Sequence, residues 1–368
     1  MWIEINNDIF EKRDFKGLNY LYQILSWYPK GSIPRYNIFI DLEKVRHTAN
    51  YQKLKSTETD FDLLLEKQFD DYINDNKKHS SRSYSISRQK KERHFNIEEA
   101  IRFFNQPVSI ILENNKNDAY FIKAIIYYFD KSGFDKSGIV KEHLKNGWIK
   151  FENAGGCDNV SNFIEGELKA FGDLASRSGK ETFDYFRGLI ILDSDKEYAN
   201  QPLKDGHDKL ERYFKKNNFA NYHILEKRMM ENYMPDEVFD DILRELTNST
   251  LDKELKDWIN VYKYLSKIQK DYLKYYDGWP KKEYDDLDIN VKKLYANQHP
   301  SNFRILKKGF KYIDKKLRTE DDTKDESNFK NAFPQKFINS TSVNKKSLEM
   351  RADSDELDVI LSKISQLL

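Results

Sequence analysis

Gly188-Leu-Ile-Ile-Leu-Asp-Ser-Asp195 is the stretch that decides the fold. Its apolar run is too short for a helix, and Gly188 and Lys196 bound the stretch, so we predict a buried strand. Side chains alternate along a strand, so we expect Asp193 and Asp195 to point to the same side where the chain leaves the sheet. Two carboxylates this close repel each other unless a cation lies between them. Hard divalent ions such as Mg²⁺ are bound in proteins by one or two carboxylates with water and substrate phosphate.

The sequence around this stretch predicts further strands at Val108-Ser-Ile-Ile-Leu112, Trp148-Ile-Lys-Phe151 and Asn221-Tyr-His-Ile-Leu225. Helical patterns separate them, at about residues 118–129, 158–171 and 203–216. Strands that alternate with helices indicate an α/β fold, with a parallel sheet covered by helices on both faces. In such sheets ligands bind at the carboxyl ends of the strands. Because Glu113 and the segment Asn153-Ala-Gly-Gly156 also follow predicted strands, we expect a site at this edge.

Two other regions flank the predicted sheet of residues 106–235. Residues 1–105 carry mixed strand and helix signals and predict an α+β region, whereas residues 236–368 predict a mainly helical region. Seven Lys or Arg and one Glu lie between residues 77 and 93. Such a segment is either a solvated linker or a mobile basic arm that contacts phosphates.

The end of the sequence carries two further signals. Residues 317–352 are dense in charge and lack periodicity, which predicts a long charged loop that is partly disordered. Asp353-Ser-Asp-Glu356 is typical of a capping box at a helix start, and an apolar helical face follows it. We expect that final helix to dock on the body of the protein or on another chain.

Composition limits the class of protein. The 62 Lys and Arg nearly balance the 61 Asp and Glu, so overall charge predicts neither a nucleic-acid binder nor a binder of acidic ligands. No apolar run is long enough to span a membrane, and Cys157 is the only cysteine, which excludes an internal disulfide. We therefore expect a cytoplasmic protein without membrane contact. No Walker-type loop is present, so we do not expect the chain itself to hydrolyse ATP.

The acidic and glycine motifs occur in a recognisable order: Glu113 with Asp118, Asn153-Ala-Gly-Gly156, Asp193-Ser-Asp195, and Glu226-Lys-Arg-Met-Met-Glu-Asn-Tyr233. This pattern resembles the Toprim domain of primases, type II topoisomerases and overcoming-lysogenization-defect family nucleases, and of related phage-defence effectors. The resemblance covers about residues 106–235. Asn114 stands where that family usually has Gly, and Asn tolerates left-handed backbone better than other non-glycine residues.

The resemblance implies a metal-dependent nuclease that holds Mg²⁺ or Mn²⁺, with two ions in all. Glu113, Asp193 and Asp195 would hold one ion, and Asp118 and Glu231 would complete the second. Glu113 is alternatively the general base. Phosphate or nucleic-acid binding is predicted for two basic residues and for two glycines whose backbone N–H groups can approach an anion: Lys227, Arg228, Gly155 and Gly156. Lys227 is also predicted to be catalytic.

The same resemblance implies a toxic effector of bacterial anti-phage defence, which cleaves DNA or RNA, tRNA included, under the control of a separate ATPase or sensor partner. Homo-oligomerisation stays open. The alternative from another class is a catalytically degenerate Toprim-like subunit that binds nucleic acid or a partner. A doubly wound phosphatase or response-regulator-like domain would leave Glu113 and Glu231 unexplained. The residues also have simpler interpretations: Asp118 as a helix N-cap, the Gly-Gly pair as a tight turn, and His223 as a structural residue.

Overall fold

The structure is a computed structural model that describes residues 1–11, 14–25, 35–57, 61–74, 83–89, 94–113, 115–130, 138–246, 250–275, 278–279, 282–309 and 329–368. Two four-stranded sheets organise the described chain. Every strand pair in both sheets is parallel. The chain is therefore an α/β protein, as the alternation of strand and helix patterns predicts.

The N-terminal sheet has the strand order β2-β1-β3-β4 and consists of β1 (Trp2–Ile5), β2 (Asn37–Ile40), β3 (Ser83–Ile86) and β4 (His94–Phe95). Its helices are α1 (Asp8–Glu11), α2 (Phe15–Leu25), α3 (Leu42–Val45), α4 (Ala49–Thr57), α5 (Phe61–Asn74) and α6 (Ile97–Asn105). The α+β prediction for residues 1–105 is wrong, because this sheet is parallel. The prediction of a linker or basic arm at residues 77–93 is wrong for β3, which pairs with β1. Residues 77–82 and 90–93 of that segment lie outside the described chain.

The second sheet has the order β6-β5-β7-β8 and contains the strands predicted from the sequence, β5 (Val108–Leu112), β6 (Ile149–Asn153), β7 (Gly188–Leu192) and β8 (Tyr222–Ile224). Between them lie α7 (Asn115–Asp130), α8 (Ile139–Lys145), α9 (Val160–Leu168), α10 (Gly172–Ser178) and α11 (Asp205–Lys216). The strand predictions are confirmed to within one or two residues at their ends. Asp118 lies in the first turn of α7 and is not its N-cap.

Both faces of the second sheet are buried. Ile110 and Ile191 join a core that includes α7 and the C-terminal helices, whereas Ile111 and Ile190 join a core formed with α9 and α11. Successive side chains on β5 and β7 thus enter opposite cores, which is why these strands are almost entirely apolar, Ser109 excepted, rather than alternating. The predicted sheet with helices on both faces is confirmed.

The C-terminal region is helical: α12 (Asp236–Glu245), α13 (Thr250–Lys263), α14 (Lys267–Tyr272), α15 (Ile289–Leu294), α16 (Pro300–Leu306), α17 (Phe329–Asn339), α18 (Lys345–Ala352) and α19 (Glu356–Gln366). The predicted loop at residues 317–352 is wrong where α17 and α18 form, and residues 317–328 lie outside the described chain. In the described chain no helix has the length and apolar character needed to cross a membrane.

The final helix docks on the body of the protein. Leu357, Ile360, Leu361 and Ile364 of α19 belong to the core that covers the Ile110 face of the second sheet. The predicted capping box is wrong, because Asp353 ends α18 in a left-handed conformation and the side chain of Glu356 turns inward. Glu356 is only 2% exposed, and its carboxylate accepts hydrogen bonds inside the fold instead of capping the helix.

A buried arginine joins the two sheets. Arg187 immediately precedes β7, is 4% exposed, and donates hydrogen bonds to the carbonyl of Gln106 at 3.0 Å and of Leu367 at 2.9 Å. It also donates to the hydroxyl of Tyr36 at the start of β2. Because a guanidinium offers five donors in a fixed plane, it can connect three separate segments in this way.

Candidate functional site

Asp193 follows β7 directly and is the centre of an acidic cluster. One of its carboxylate oxygens accepts a hydrogen bond from the backbone N–H of Met230 at 3.1 Å, which ties the end of β7 to the segment after β8. Burial raises the pKa of Asp193 well above its ordinary value, and the charges of Asp118 and Glu231 add to the effect. Without a cation, the folded chain therefore favours the protonated form of this carboxyl.

Glu113 follows β5 and is the second acid of the cluster. Burial raises its pKa to about 7, and the nearby charges of Asp195 and Asp158 add to this. A hydrogen bond from the backbone N–H of Asp193 opposes the shift. A carboxyl whose pKa lies near neutrality can accept and release a proton at physiological pH, which is the property of a general base.

Asp195 has a different environment from Asp193. Burial by itself would raise its pKa, but the Lys204 ammonium at 2.7 Å, with help from Arg228 and His207, holds the pKa below its ordinary value. Its backbone is left-handed, with φ of 56°, which Asp tolerates better than most residues. The strand ends at Leu192, so strand alternation does not reach Asp195, and the reasoning that placed both aspartates on one side of a strand is wrong.

The neighbours of each carboxyl divide the cluster into two groups. Asp118 and Glu231 contribute the largest charge effects on Asp193, whereas Asp195 contributes the largest charge effect on Glu113. The other four predicted acids thus all act on the pKa of Asp193, with Asp118 and Glu231 acting most strongly. Smaller effects of Glu113 and Asp195 on Asp193 connect the groups.

The donor chemistry fits a hard divalent cation, because the cluster offers carboxylate oxygens alone. Within the described ranges, however, no three His, Cys, Asp or Glu side chains are arranged as a metal-binding group. The acids therefore share one sheet edge without the close convergence of a finished coordination shell. Asn114 lies outside the described residues.

The Gly-Gly pair forms the turn between β6 and the following helix. Gly155 and Gly156 have φ of 75° and 109°, which favour glycine because a side chain there would be strained. The N–H of Gly155 donates to the side-chain oxygen of Asn153 at 3.0 Å, so this donor is already used within the loop. The tight-turn interpretation therefore accounts for Gly155, and anion binding by the pair stays a prediction.

Lys227 lies outside the acidic cluster. It is 6% exposed, and its ammonium binds the carboxylate of Asp271 at 2.6 Å. Burial, followed by the charge of Arg351, lowers the pKa of Lys227. Arg351 donates to the same oxygen of Asp271. The ammonium is held in a buried ion pair, and phosphate binding by Lys227 stays a prediction.

Arg228 is closer to the cluster. It is 4% exposed, its guanidinium lies 3.6 Å from the carboxylate of Glu197, and its charge lowers the pKa of Asp195. Its backbone carbonyl accepts the N–H of Asp195 at 2.9 Å. The hydroxyl of Ser194 donates to the carbonyl of Lys227 at 2.7 Å. These two contacts fix the turn after β7 against the segment after β8.

Three residues near the cluster were not predicted from the sequence. Asp158 stands at the start of the helix after the Gly-Gly turn, and its charge raises the pKa of Glu113. Lys204 directly precedes α11 and pairs with Asp195. His207, in the first turn of α11, is 2% exposed and donates through Nε2 to the carbonyl of Asp193 at 2.8 Å. The sequence signal that could have identified all three is a polar residue at the start of a helix that follows a strand.

Cys157 is close to the cluster, and its environment disfavours the reactive thiolate form. Burial raises the pKa of its thiol to about 12, and the charges of Glu113 and Asp158 add to the effect. The nucleophilic form of a cysteine is the thiolate. A role as nucleophile, which the sequence disfavours, is thus also disfavoured by the environment of Cys157.

Glu356, far away in the sequence, anchors the segment that carries Glu231. One carboxylate oxygen accepts from Nε2 of His223 at 2.7 Å and from the N–H of Glu226 at 2.8 Å. The other accepts from the hydroxyl of Tyr233, which lies at the end of the short 3₁₀ turn that contains Glu231. The structural role predicted for His223 agrees with this contact.

Comparison with known proteins gives no match: no family model matches the chain, and no curated protein or solved structure is significantly similar to it.

Proposed function

We propose that the chain is a metal-dependent nuclease of the Toprim type, which hydrolyses phosphodiester bonds of DNA or RNA. The observation that carries the proposal is the gathering of Glu113, Asp118, Asp193, Asp195 and Glu231 at the carboxyl edge of the second sheet. Ligands of parallel α/β sheets bind at this edge. Burial and neighbouring carboxylates disfavour ionisation of Asp193 and Glu113, whereas Lys204 already offsets Asp195. A divalent cation is the partner that would favour the ionised forms of Asp193 and Glu113.

The chemistry of the side chains fits Mg²⁺ or Mn²⁺. Glu113, Asp118, Asp193, Asp195 and Glu231 would supply the carboxylate ligands of the ions. Divalent ions in such a site supply charge neutralisation at phosphate and lower the pKa of bound water. The hydrogen bond from Met230 to Asp193 and the pair of Lys204 with Asp195 orient the two aspartates, which limits the rearrangement that an ion would require.

Alternatively, Glu113 is the general base rather than a metal ligand. Burial raises its pKa to about 7 in the metal-free chain, so the carboxyl can exchange a proton near neutral pH. That carboxylate can take the proton of an attacking water. Arg228 lies at the same edge, and its guanidinium is suited to bind a phosphate if its contact with Glu197 is exchanged.

The biological setting in this proposal is that of a cytoplasmic effector, which a separate ATPase or sensor partner controls during phage infection. The separate ATPase is what the resemblance to Toprim effectors implies, and the sequence itself carries no Walker-type loop. DNA and RNA, including tRNA, are both included as substrates.

The test is cleavage of plasmid DNA and of tRNA by the purified chain, alone and with candidate partners, in Mg²⁺ or Mn²⁺ against EDTA. We expect metal-dependent cleavage that is lost in Asp193→Asn and Glu113→Gln. Asp173→Asn is the matched control, because Asp173 is an exposed acid on α10, away from the cluster. Cleavage that persists in both cluster variants, or absence of cleavage under every condition, would defeat the proposal.

The second candidate is a degenerate Toprim-like subunit that binds nucleic acid or a protein partner. Two observations favour it: no three acids of the described chain form a metal-binding group, and Lys227 is committed to Asp271. Binding of nucleic acid that is insensitive to EDTA and to Asp193→Asn, without cleavage, is the expected result for such a subunit.

A further inference from the structure

A cavity of about 1110 Å³ lies at the opposite end of the second sheet from the acidic cluster. Residues 87–89, which follow β3, and Asn96, which follows β4, form one wall. Residues 217–221, which precede β8, form part of the other. The cavity therefore opens at the carboxyl edge of the N-terminal sheet, the edge where parallel sheets bind ligands. Its volume is at the upper end of small-molecule sites, which are about 300–1,000 Å³.

Two of the three Lys or Arg side chains on the described lining of the cavity are paired with carboxylates. Lys180 binds the carboxylate of Glu99 at 2.6 Å, and Arg177 lies 3.6 Å from Glu98. The guanidinium of Arg88 donates to the carbonyl of Asp8 at 3.1 Å. Glu181 and Asp184 also line the cavity, so the described lining holds four carboxylates and three Lys or Arg side chains. A ligand with several negative charges would therefore meet more repulsion than attraction from the described lining.

Amide side chains supply the uncommitted polar groups. Gln89, Asn218 and Asn221 line the cavity, and their side chains make no hydrogen bond to the part of the chain that the structure describes. Each amide presents two donor hydrogens and an acceptor oxygen. This combination matches the edge of a nucleobase, which offers donors and acceptors side by side.

Aromatic rings, tilted against one another by 52–72°, provide an apolar surface beside the amides. Phe183, Phe186 and Phe219 line the same cavity and contact one another, with ring centroids 5.2–6.2 Å apart. Phe183 and Phe186 are only partly buried, so their surfaces face the open space. Proteins bind unpaired bases by stacking them on such rings.

We propose that this cavity binds a nucleobase whose attached group carries no charge into the cavity, either in a free nucleoside or in an unpaired base of a single strand. The base stacks on the partly exposed ring of Phe183 or Phe186, and Gln89, Asn218 and Asn221 read its edge. Because the cavity and the acidic cluster lie at opposite ends of the second sheet, this binding is separate from the proposed phosphodiester cleavage.

The test is isothermal titration calorimetry of the full chain with adenosine, guanosine, cytidine and uridine, each compared with its 5′-monophosphate. We expect at least one nucleoside to bind and its monophosphate to bind no more tightly, since the carboxylates of the described lining outnumber its Lys and Arg side chains. Asn221→Leu keeps the size of the side chain and removes the amide, so we expect about tenfold weaker binding. Asn302→Leu, on α16 and outside the cavity, is the matched control with unchanged affinity.

The proposal is overturned if no nucleoside binds with a Kd below about 1 mM. It is also overturned if the monophosphate binds at least tenfold more tightly, or if Asn221→Leu binds as the parent does while thermal unfolding shows both to be folded. A short single-stranded oligonucleotide in the same titration separates the two sources of the base. Competition with the nucleoside identifies a strand as the ligand, and lack of competition identifies the free nucleoside.

Discussion

Replacing Glu113 by Gln is expected to stabilise the metal-free protein above pH 7. Burial, and after it the charge of Asp195, raises the pKa of Glu113 from 4.5 to about 7, so the folded state favours the protonated carboxyl more than the unfolded chain does. The resulting contribution to stability is fully present below pH 4.5 and is lost as the pH rises through 7. Since one pKa unit corresponds to about 1.4 kcal/mol, the ionised carboxyl destabilises the fold by about 3 kcal/mol, which the neutral Gln avoids.

Urea unfolding in EDTA at pH 4 and at pH 8 measures this effect. The parent and Glu113→Gln should be equally stable within about 0.5 kcal/mol at pH 4, and the variant should be more stable by about 2–3 kcal/mol at pH 8. Glu167→Gln, an exposed acid on α9, is the control and should change stability by less than about 0.5 kcal/mol at either pH. A Glu113→Gln variant that is no more stable than the parent at pH 8 would refute the description of Glu113 as a buried, repelled carboxyl.

Three other predictions concern single residues. Glu356→Ala should lower the free energy of unfolding by about 3 kcal/mol, because it leaves buried donors unpaired, and Glu356→Gln should lower it less; a loss below 1 kcal/mol in urea for the Ala variant would contradict this. Cys157 should react with iodoacetamide at pH 8 about a thousandfold more slowly than a free cysteine, and faster in Glu113→Gln; equal rates in the two proteins would show that the charge of Glu113 does not reach the thiol. Arg187→Ala should cost about 3 kcal/mol in the same urea assay, and an unchanged midpoint would mean that the junction between the sheets does not depend on the guanidinium.

The second sheet could be predicted from the sequence because its strands are buried on both faces. The runs at Val108–Leu112 and Gly188–Leu192 are apolar apart from Ser109, and each is followed directly by an acidic residue, so they stand out from the helices. Strands β3 and β4 could not be found in this way. They are four and two residues long and lie in a charged, serine-rich segment, and their pairing with neighbouring strands supplies the order that local sequence does not.

The sequence predicted which acids belong to the cluster, but it did not predict the environment of each one. The order of strands placed Glu113 and Asp193 at one edge, since parallel strands end together. The left-handed backbone of Asp195 gave that residue a separate environment, which strand periodicity does not foresee. The ammonium of Lys227 is bound by Asp271, which lies 44 residues later in the sequence. A local motif contains no information about such a distant partner.

The contact between Glu356 and Glu226 has a consequence for how the protein is made. The two residues are 130 positions apart, so the ribosome must add a long stretch of chain after β8 before the anchor can form. A domain folds during synthesis only as far as its contacts are available. The segment that carries Glu231 can therefore gain this anchor only after α19 has been made. In a nascent chain that has completed the second sheet but not α19, the contacts of Glu356 with His223 and Glu226 are still missing.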